Sequence, residues 1–301
     1  MGKYCCIFFL FVVFRSMGQQ EAQYSQFMYN MSIINPGYAI DDPGSLHMGA
    51  LYRAQWTGVE GAPSTANIFA RMPLNDQNEV GINFVNDKIG KVLKENKFNV
   101  DFAHILSLSR TLKLSLGIKA GVNNLSFDFS DTNVSTDPSF ANTNSTFLTI
   151  GAGAFLYSDN FYVGLSSPNF LPKDLDVNNE SLYEKSIALY LTGGYVFDIN
   201  DYFVLKPSMV VMQEVGAPMS FDVALNAGFY DKFEIGTSYR YQDAISVLAA
   251  FNITNSFKIG YAYDYNIGSE LSEFSNGSHE IILLYNLDFL KSRRYTSPRF
   301  F

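Results

Sequence analysis

From Leu46 onward, apolar and polar residues alternate in successive segments of about ten residues. Residues 257–265 show the pattern most clearly, with aromatic or aliphatic residues at the odd positions and small or charged residues at the even ones. Because successive side chains of a strand point to opposite faces, each segment predicts a strand with one bulky apolar face and one small polar face. The predicted strands are residues 46–56, 64–72, 79–86, 97–108, 112–124, 146–157, 161–167, 186–197, 203–212, 219–230, 233–241, 245–253, 257–265 and 279–289.

A soluble sandwich would show the same alternation, but the connections between the strands favour a barrel. Connections after even-numbered strands are short, whereas the long ones, 87–96, 125–145, 168–185 and 266–278, all follow odd-numbered strands. Bacterial outer-membrane barrels combine short periplasmic turns with long extracellular loops. We therefore predict an all-β fold, a transmembrane antiparallel β-barrel of about 14 strands with both termini in the periplasm.

Aromatic residues flank the tight turns between predicted strands. Aromatic rings prefer the membrane interface, so these residues predict an aromatic girdle at the periplasmic side. The flanking pairs are Tyr157 and Phe161, Phe197 and Tyr202, Tyr230 and Phe233, and Phe251 and Phe257.

The N-terminus resembles a signal peptide. Lys3 precedes the apolar run 7–14, and small residues at 16 and 18 flank a possible cleavage site, so residues 1–18 are expected to be removed. Residues 19–45 are rich in turn signals and are expected either to plug the barrel or to form a periplasmic leader. The barrel is then 46–289, and 290–301 forms a periplasmic tail.

Composition excludes several functions. Without residues 1–18 the chain has 19 basic and 29 acidic side chains, so nucleic acid is an improbable partner. Both cysteines lie in that removed segment, which leaves no thiol for a disulfide or a metal.

The polar faces carry charges of both signs, which predict ion pairs inside the barrel or, alternatively, a selectivity filter. These charges are Arg53, Arg71, Lys113, Lys119, Asp222, Glu234, Asp264 and Glu280.

No catalytic or metal-binding constellation is evident. His47, His104 and His279 lack metal-ligand spacing. Ser278, His279 and Glu280 are adjacent strand residues, so they alternate between faces and cannot form a proton relay. We expect no enzymatic activity, no cofactor and no metal.

Several segments resemble the PorP/SprF family of type IX secretion system membrane proteins from Bacteroidetes. They are residues 23–30, 34–38, 53–58, 61–65, 260–264, 277–281 and 298–300, in the family's order along the whole mature chain. Gly37, where the family would have Ala, is a minor departure. The positions that match the family motifs are Gln26, Asn30, Asn35, Pro36, Arg53, Trp56, Gly58, Tyr263, Asp264, Ser278, His279, Glu280 and Arg299.

The resemblance implies a non-enzymatic barrel in a Gram-negative outer membrane. Such a barrel would support secretion or surface anchoring of a large protein with a C-terminal sorting domain, such as an adhesin used in gliding motility. Its expected partners are that cargo, other type IX components and outer-membrane lipid. A porin or a transporter of hydrophobic substrates would share the fold, so it stays open as an alternative function.

Overall fold

A computed structural model describes residues 22–130, 142–177, 180–267 and 274–289 of the chain. Within these ranges the structure is almost entirely β, apart from two short 3-10 helices, Phe27–Tyr29 and Met31–Ile33, and no helix there is long and apolar enough to cross a membrane. The strands are β1 (Ser45–Ala54), β2 (Ser64–Asn75), β3 (Asn78–Ile89), β4 (Leu93–Ser107), β5 (Lys113–Phe127), β6 (Thr143–Tyr157), β7 (Phe161–Ser167), β8 (Lys173–Val177), β9 (Glu180–Lys185), β10 (Ala188–Tyr195), β11 (Phe197–Asn200), β12 (Phe203–Glu214), β13 (Ser220–Phe229), β14 (Phe233–Arg240), β15 (Ala244–Asn252), β16 (Phe257–Asn266) and β17 (Ser278–Asp288).

One antiparallel sheet contains every strand except β8 and β9, and it closes into a barrel because β1 pairs with β17. Strand β11 continues β10 beyond Val196, and both pair with β12, so the two count as one strand of the barrel. The barrel therefore has 14 strands, which confirms the predicted fold. Closure leaves no sheet edge, so the wall satisfies its own backbone hydrogen bonds, as a membrane requires.

The two faces of the wall are the reverse of those of a soluble protein. On β5 the side chain of Ile118 is 63% exposed, whereas the neighbouring Lys119 is 3% exposed and points inward. The same contrast recurs on the other strands, where exposed aliphatic and aromatic residues alternate with buried polar ones. An apolar exterior and a polar lumen are what a transmembrane barrel needs.

The two ends of the barrel differ. One end, here called the turn end, carries the connections 76–77, 108–112, 158–160, 201–202, 230–232 and 253–256. The other, the loop end, carries 55–63, 90–92, 128–142, 168–187, 215–219, 241–243 and 267–277. The contrast predicted from the sequence is therefore present, although residues 131–141 and 268–273 lie outside the described parts of the chain.

Two predicted loops are wrong in detail. The connection predicted over 87–96 is a tight turn at 90–92, because β3 and β4 stay paired up to Ile89 and Leu93. Gly90 adopts a φ of +67° there, which favours glycine. The connection predicted over 168–185 contains a separate hairpin, in which β8 pairs with β9.

Aromatic side chains form part of a girdle at the turn end. The rings of Tyr202 and Tyr230 stack with their centroids 5.5 Å apart, and Phe197, Phe233 and Phe251 are exposed on the outer face. Tyr157 contradicts the prediction, because it is only 1% exposed. It occupies an inward position of β6, where its ring packs against Phe155.

Candidate functional site in the barrel lumen

Residues 22–44, here called the N-terminal segment, run through the lumen from one end of the barrel to the other. At the turn end the carbonyl of Gly44 accepts a hydrogen bond from the amide of Phe289 (2.7 Å). At the loop end Gln23 Nε2 donates to Ser220 Oγ (3.3 Å), at the start of β13. Between these points the segment contacts side chains from both halves of the wall, so the lumen is occupied along its length.

A fully buried carboxylate, Glu280 on β17, anchors the beginning of the segment. Its two oxygens accept hydrogen bonds from the backbone amides of Ser25 (3.0 Å) and Gln26 (2.9 Å). Arg53 Nη1 lies 3.2 Å from Glu280 and 2.6 Å from Asp264, which itself accepts a hydrogen bond from the Ser25 hydroxyl (2.7 Å). We call this group the Glu280 anchor.

A second carboxylate, Glu79 on β3, holds the other end of the segment in the same way. Its oxygens accept hydrogen bonds from the backbone amides of Ile40 (3.0 Å) and Asp41 (2.6 Å). Arg71 Nε is 3.1 Å from Glu79, and Lys113 Nζ is 2.6 Å from the Asp41 carboxylate. This group is the Glu79 anchor. Each anchor therefore joins two adjacent amides to a carboxylate that an arginine of the wall neutralises.

Between the anchors, donor side chains of the wall bind backbone carbonyls of the segment. The pairs are Lys119 Nζ with the carbonyls of Ser32 (3.1 Å) and Ile33 (3.0 Å), Ser166 Oγ with that of Ile34 (2.8 Å), and Arg71 Nη2 with that of Pro36 (3.1 Å). The segment's own backbone hydrogen bonds use other carbonyls, those of Gln26, Phe27, Asn30, Met31 and Asn35. The wall donors therefore satisfy carbonyls that would otherwise be buried without partners.

Two glycines of the wall make room for the turn at Asn35 and Pro36. A Cβ atom at Gly117 would overlap the backbone carbonyl of Pro36, and one at Gly153 would overlap the Asn35 side chain. Asn35 Nδ2 also donates to the carbonyl of Ala154 (3.1 Å). The small residues in these strands therefore permit close approach of a second backbone.

The middle of the segment has an apolar core inside the polar lumen. Phe27, Met28 and Met31 are buried and belong to one cluster with wall residues such as Phe155 and Leu248. This cluster joins opposite sides of the barrel, because β6 and β15 are far apart in the strand order. Apolar packing therefore fills the space that the hydrogen bonds at the two ends leave.

Tyr29 extends the packing toward a charged group of the wall. Lys258 Nζ lies 5.0 Å from the centroid of the Tyr29 ring. The Tyr29 hydroxyl donates a hydrogen bond to the carboxylate of Glu234 on β14.

The charges predicted to face the lumen form ion pairs with one another and with residues that the sequence did not single out. Besides the two anchors, the pairs are Arg240 with Asp222 (3.0 Å), Lys206 (3.4 Å) and Lys258 (3.5 Å) with Glu234, and Lys119 with Asp101 (3.6 Å). Glu79 and Asp101 were not among the predicted charges, although strand alternation places them on the polar face, as it does Arg240. This pattern supports the ion-pair interpretation.

The hairpin β8–β9 packs against the inner face of the wall at the loop end. Tyr183 is buried in one cluster with Leu125, Phe127 and Phe129. Its hydroxyl donates to Glu95 Oε1 (3.2 Å), and Lys185 Nζ lies 3.6 Å from the same oxygen. Glu95 on β4 thus ties the hairpin to the barrel.

The family-motif positions from the two ends of the sequence meet in this lumen. Gln26, Arg53, Asp264 and Glu280 belong to the Glu280 anchor; Asn30 donates to Asn67 on β2; Asn35 and Pro36 lie against β5 and β6. The remaining described positions lie at or near the loop end. There, the Trp56 amide donates to Ser278 Oγ (3.1 Å), Gly58 has a φ of +91°, and the Tyr263 hydroxyl donates to the carbonyl of Asn276 (3.2 Å). Arg299 lies outside the described residues.

The histidines lie apart from one another. His279 Nδ1 is 2.6 Å from the Tyr261 hydroxyl, His104 Nδ1 is 2.9 Å from Asn78 Oδ1, and His47 Nε2 is 3.5 Å from Asp42. In the described part of the chain, no group of three or more His, Cys, Asp or Glu side chains is placed to hold a metal ion. Ser278 and Glu280 are buried on the inner face, and His279 between them is not.

Comparison with known proteins identifies both a family and a fold. The family described as "Type IX secretion system membrane protein PorP/SprF" matches residues 16–285. Among solved structures, the monoaromatic hydrocarbon channel CymD has a TM-score of 0.53 at 10% identity, with 88% of this chain and 93% of that one covered. A FadL homologue from Pseudomonas aeruginosa has a TM-score of 0.52 at 11% identity, with 88% and 94% covered. No curated protein matches. At such identities the two structures establish the barrel fold alone.

Proposed function

Because the chain belongs to the PorP/SprF family of type IX secretion system membrane proteins, we propose that it is a closed barrel that receives or anchors a secreted surface protein. The barrel does not itself provide the translocation pore. Its partner is a large protein with a C-terminal sorting domain, and other type IX components act with it. The family and the barrel fold together support a location in the outer membrane.

The observation that carries this proposal is the occupied lumen. The somewhat larger porins, with about 16–18 strands, keep an aqueous channel. Here the N-terminal segment crosses the lumen, anchored at Glu280 and Glu79 and packed at its centre around Phe27. Buried charged side chains of the wall thus hold the segment in the lumen as a plug. A plugged lumen suits a protein that binds a macromolecule better than one that conducts solutes.

The proposed orientation places the turn end in the periplasm and the loop end outside the cell. The turn end carries Gly44 and Phe289, where the barrel begins and ends, and short turns are typical of the periplasmic side. The extracellular surface then consists mainly of the connections 55–63, 128–142, 168–187 and 267–277. These connections offer the larger area for a partner, because exposed loops commonly carry binding functions.

Deletion of the gene tests the proposal. The surface proteome of the deletion strain should lack one or more large proteins with C-terminal sorting domains, and the wild-type gene should restore them. Purified full-length protein in planar bilayers should show little ion conductance. An unchanged surface proteome, together with high conductance or lost uptake of a hydrophobic solute, would instead identify a transporter.

A further inference from the structure

The wall binds backbone groups of the N-terminal segment at points along its whole length, in addition to contacts with its side chains. Side chains of five wall residues, Glu280, Glu79, Lys119, Ser166 and Arg71, contact eight backbone groups of the segment. Four of these groups are amides and four are carbonyls. Backbone groups are common to every polypeptide, so such contacts do not depend on the side chains of the bound chain.

The binding groups belong to the wall whether or not the segment is present. Arg53 pairs with Glu280, and Arg71 pairs with Glu79, on neighbouring strands of the closed sheet. No strand pairing of the sheet includes a residue between 22 and 44. Withdrawal of the segment would therefore leave the pairing of the barrel strands intact.

The described part of the segment continues covalently into the barrel wall at the turn end, through residues 42–44, among which Pro43 is exposed. Its first described residue, Ala22, has no strand before it in the described chain. The contacts along its length are hydrogen bonds, ion pairs and the packing of Phe27, Met28 and Met31. All of these are non-covalent and exchangeable.

We propose that the lumen is a peptide-binding site whose built-in occupant is the N-terminal segment. A segment of a partner polypeptide occupies the same site when residues 22–44 withdraw. That ligand presents adjacent backbone amides to Glu280 and to Glu79, and between them an aromatic or methionine-rich stretch that fills the space around Phe155 and Leu248. The inference deepens the proposed function, because it gives the anchored partner a defined point of attachment.

The experiment uses the full chain with a protease recognition sequence inserted between Asp42 and Gly44. After folding and purification, cleavage leaves the N-terminal segment in place without a covalent link. A fluorescently labelled synthetic peptide of residues 22–41 is then added, and its incorporation is followed by anisotropy and by co-elution with the barrel. The same sequence inserted at Arg110, in the connection 108–112, is the control, since cleavage there does not free the segment.

The labelled peptide is expected to enter the barrel cleaved near Pro43 and not the control. Glu280→Gln and Glu79→Gln should each speed release by about tenfold, because each removes a charge that backbone amides contact. Asp222→Asn is the matched variant: this buried lumen carboxylate hydrogen-bonds Arg240 and should leave the release rate unchanged.

A second peptide tests tolerance of sequence. It keeps Phe27, Met28 and Met31 but replaces Gln23, Asn30 and Asn35 with Ala, and it should still enter, with an affinity reduced by less than about 100-fold. Failure of this peptide to enter, or equal release rates for the glutamate variants and Asp222→Asn, would overturn the proposal. Because the assay uses purified protein, its failure is distinguishable from an unchanged surface proteome, which would instead refute the role in secretion.

Discussion

Removal of the Glu280 carboxylate should detach the beginning of the N-terminal segment while the barrel stays folded. The Glu280→Ala variant deprives the amides of Ser25 and Gln26 of their acceptor and leaves Arg53 with Asp264 as its only charged partner in the Glu280 anchor. The side chain is 0% exposed, so neither amide gains water in exchange without local rearrangement. The loss of binding free energy is therefore concentrated in the contacts of the N-terminal segment.

The change in the free energy of detachment follows from the number and kind of bonds that are lost. Each hydrogen bond to a charged group contributes about 1.5–3 kcal/mol, and breaking a buried ion pair costs about 3–5 kcal/mol. Because the Arg53–Asp264 pair survives, we expect Glu280→Ala to favour detachment by about 3–5 kcal/mol. The detached population would rise by a factor of about 100 or more, at 1.4 kcal/mol per tenfold change. Glu280→Gln, which keeps one acceptor oxygen, should show roughly half the free-energy change.

Hydrogen–deuterium exchange with mass spectrometry measures this change directly. Peptides covering residues 22–35 of purified full-length protein should lose protection by that factor, whereas peptides from β4 and β5 should not. Asp222→Asn serves as the matched control, because its carboxylate contacts Arg240 rather than the segment. Unchanged protection of residues 22–35 in a folded Glu280→Ala barrel would refute the reasoning.

Further variants test other parts of the structure. Gly117→Ala should destabilise the turn at Pro36 by about 1–3 kcal/mol, whereas Gly193→Ala, where the nearest atom to a Cβ is 3.7 Å away, should be neutral; limited proteolysis of the segment distinguishes them. Ile118→Arg on the lipid face should destabilise the barrel by about 2–4 kcal/mol in urea titrations in lipid vesicles, and Val215→Arg, equally exposed but in a connection, by less than about 1 kcal/mol. Glu95→Gln should free the hairpin β8–β9 and increase its exchange rate by about tenfold, and unchanged exchange would show that apolar packing alone holds it.

The strands could be predicted from the sequence because alternation is a local property. The predicted and observed boundaries agree closely for β7, where both give 161–167, and for most other strands. The prediction of a loop over 87–96 was wrong because β3 and β4 continue there as paired strands with polar side chains. Asn86 on β3 and Asn96 on β4, for example, hydrogen-bond through their side-chain amides (2.7 Å). Beyond the membrane, apolar alternation is no longer required, so it no longer marks a strand.

The site was predictable only in part. Alternation along the strands placed Arg53, Asp264 and Glu280 on the polar face, and all three also belong to the family motifs. Their meeting with Ser25 depends on the pairing of β1 with β17, which joins residues more than 200 positions apart in sequence, and on the path of residues 22–44. Turn-rich sequence fits a plug or a leader equally well, so local signals alone could not decide between them. Glu79 lies in no recognised motif and was found only through its contacts.

Affinity purification of the tagged full-length chain from native outer membranes, with quantitative mass spectrometry, tests the proposed role most directly. We predict that a large secreted protein with a C-terminal sorting domain is enriched together with other type IX components, relative to an untagged strain. The same protein should be depleted when the tagged chain carries Glu280→Ala. Recovery of the barrel with lipid and no such protein, or equal recovery with the Glu280→Ala variant, would contradict the proposal that the closed lumen serves the attachment of a secreted partner.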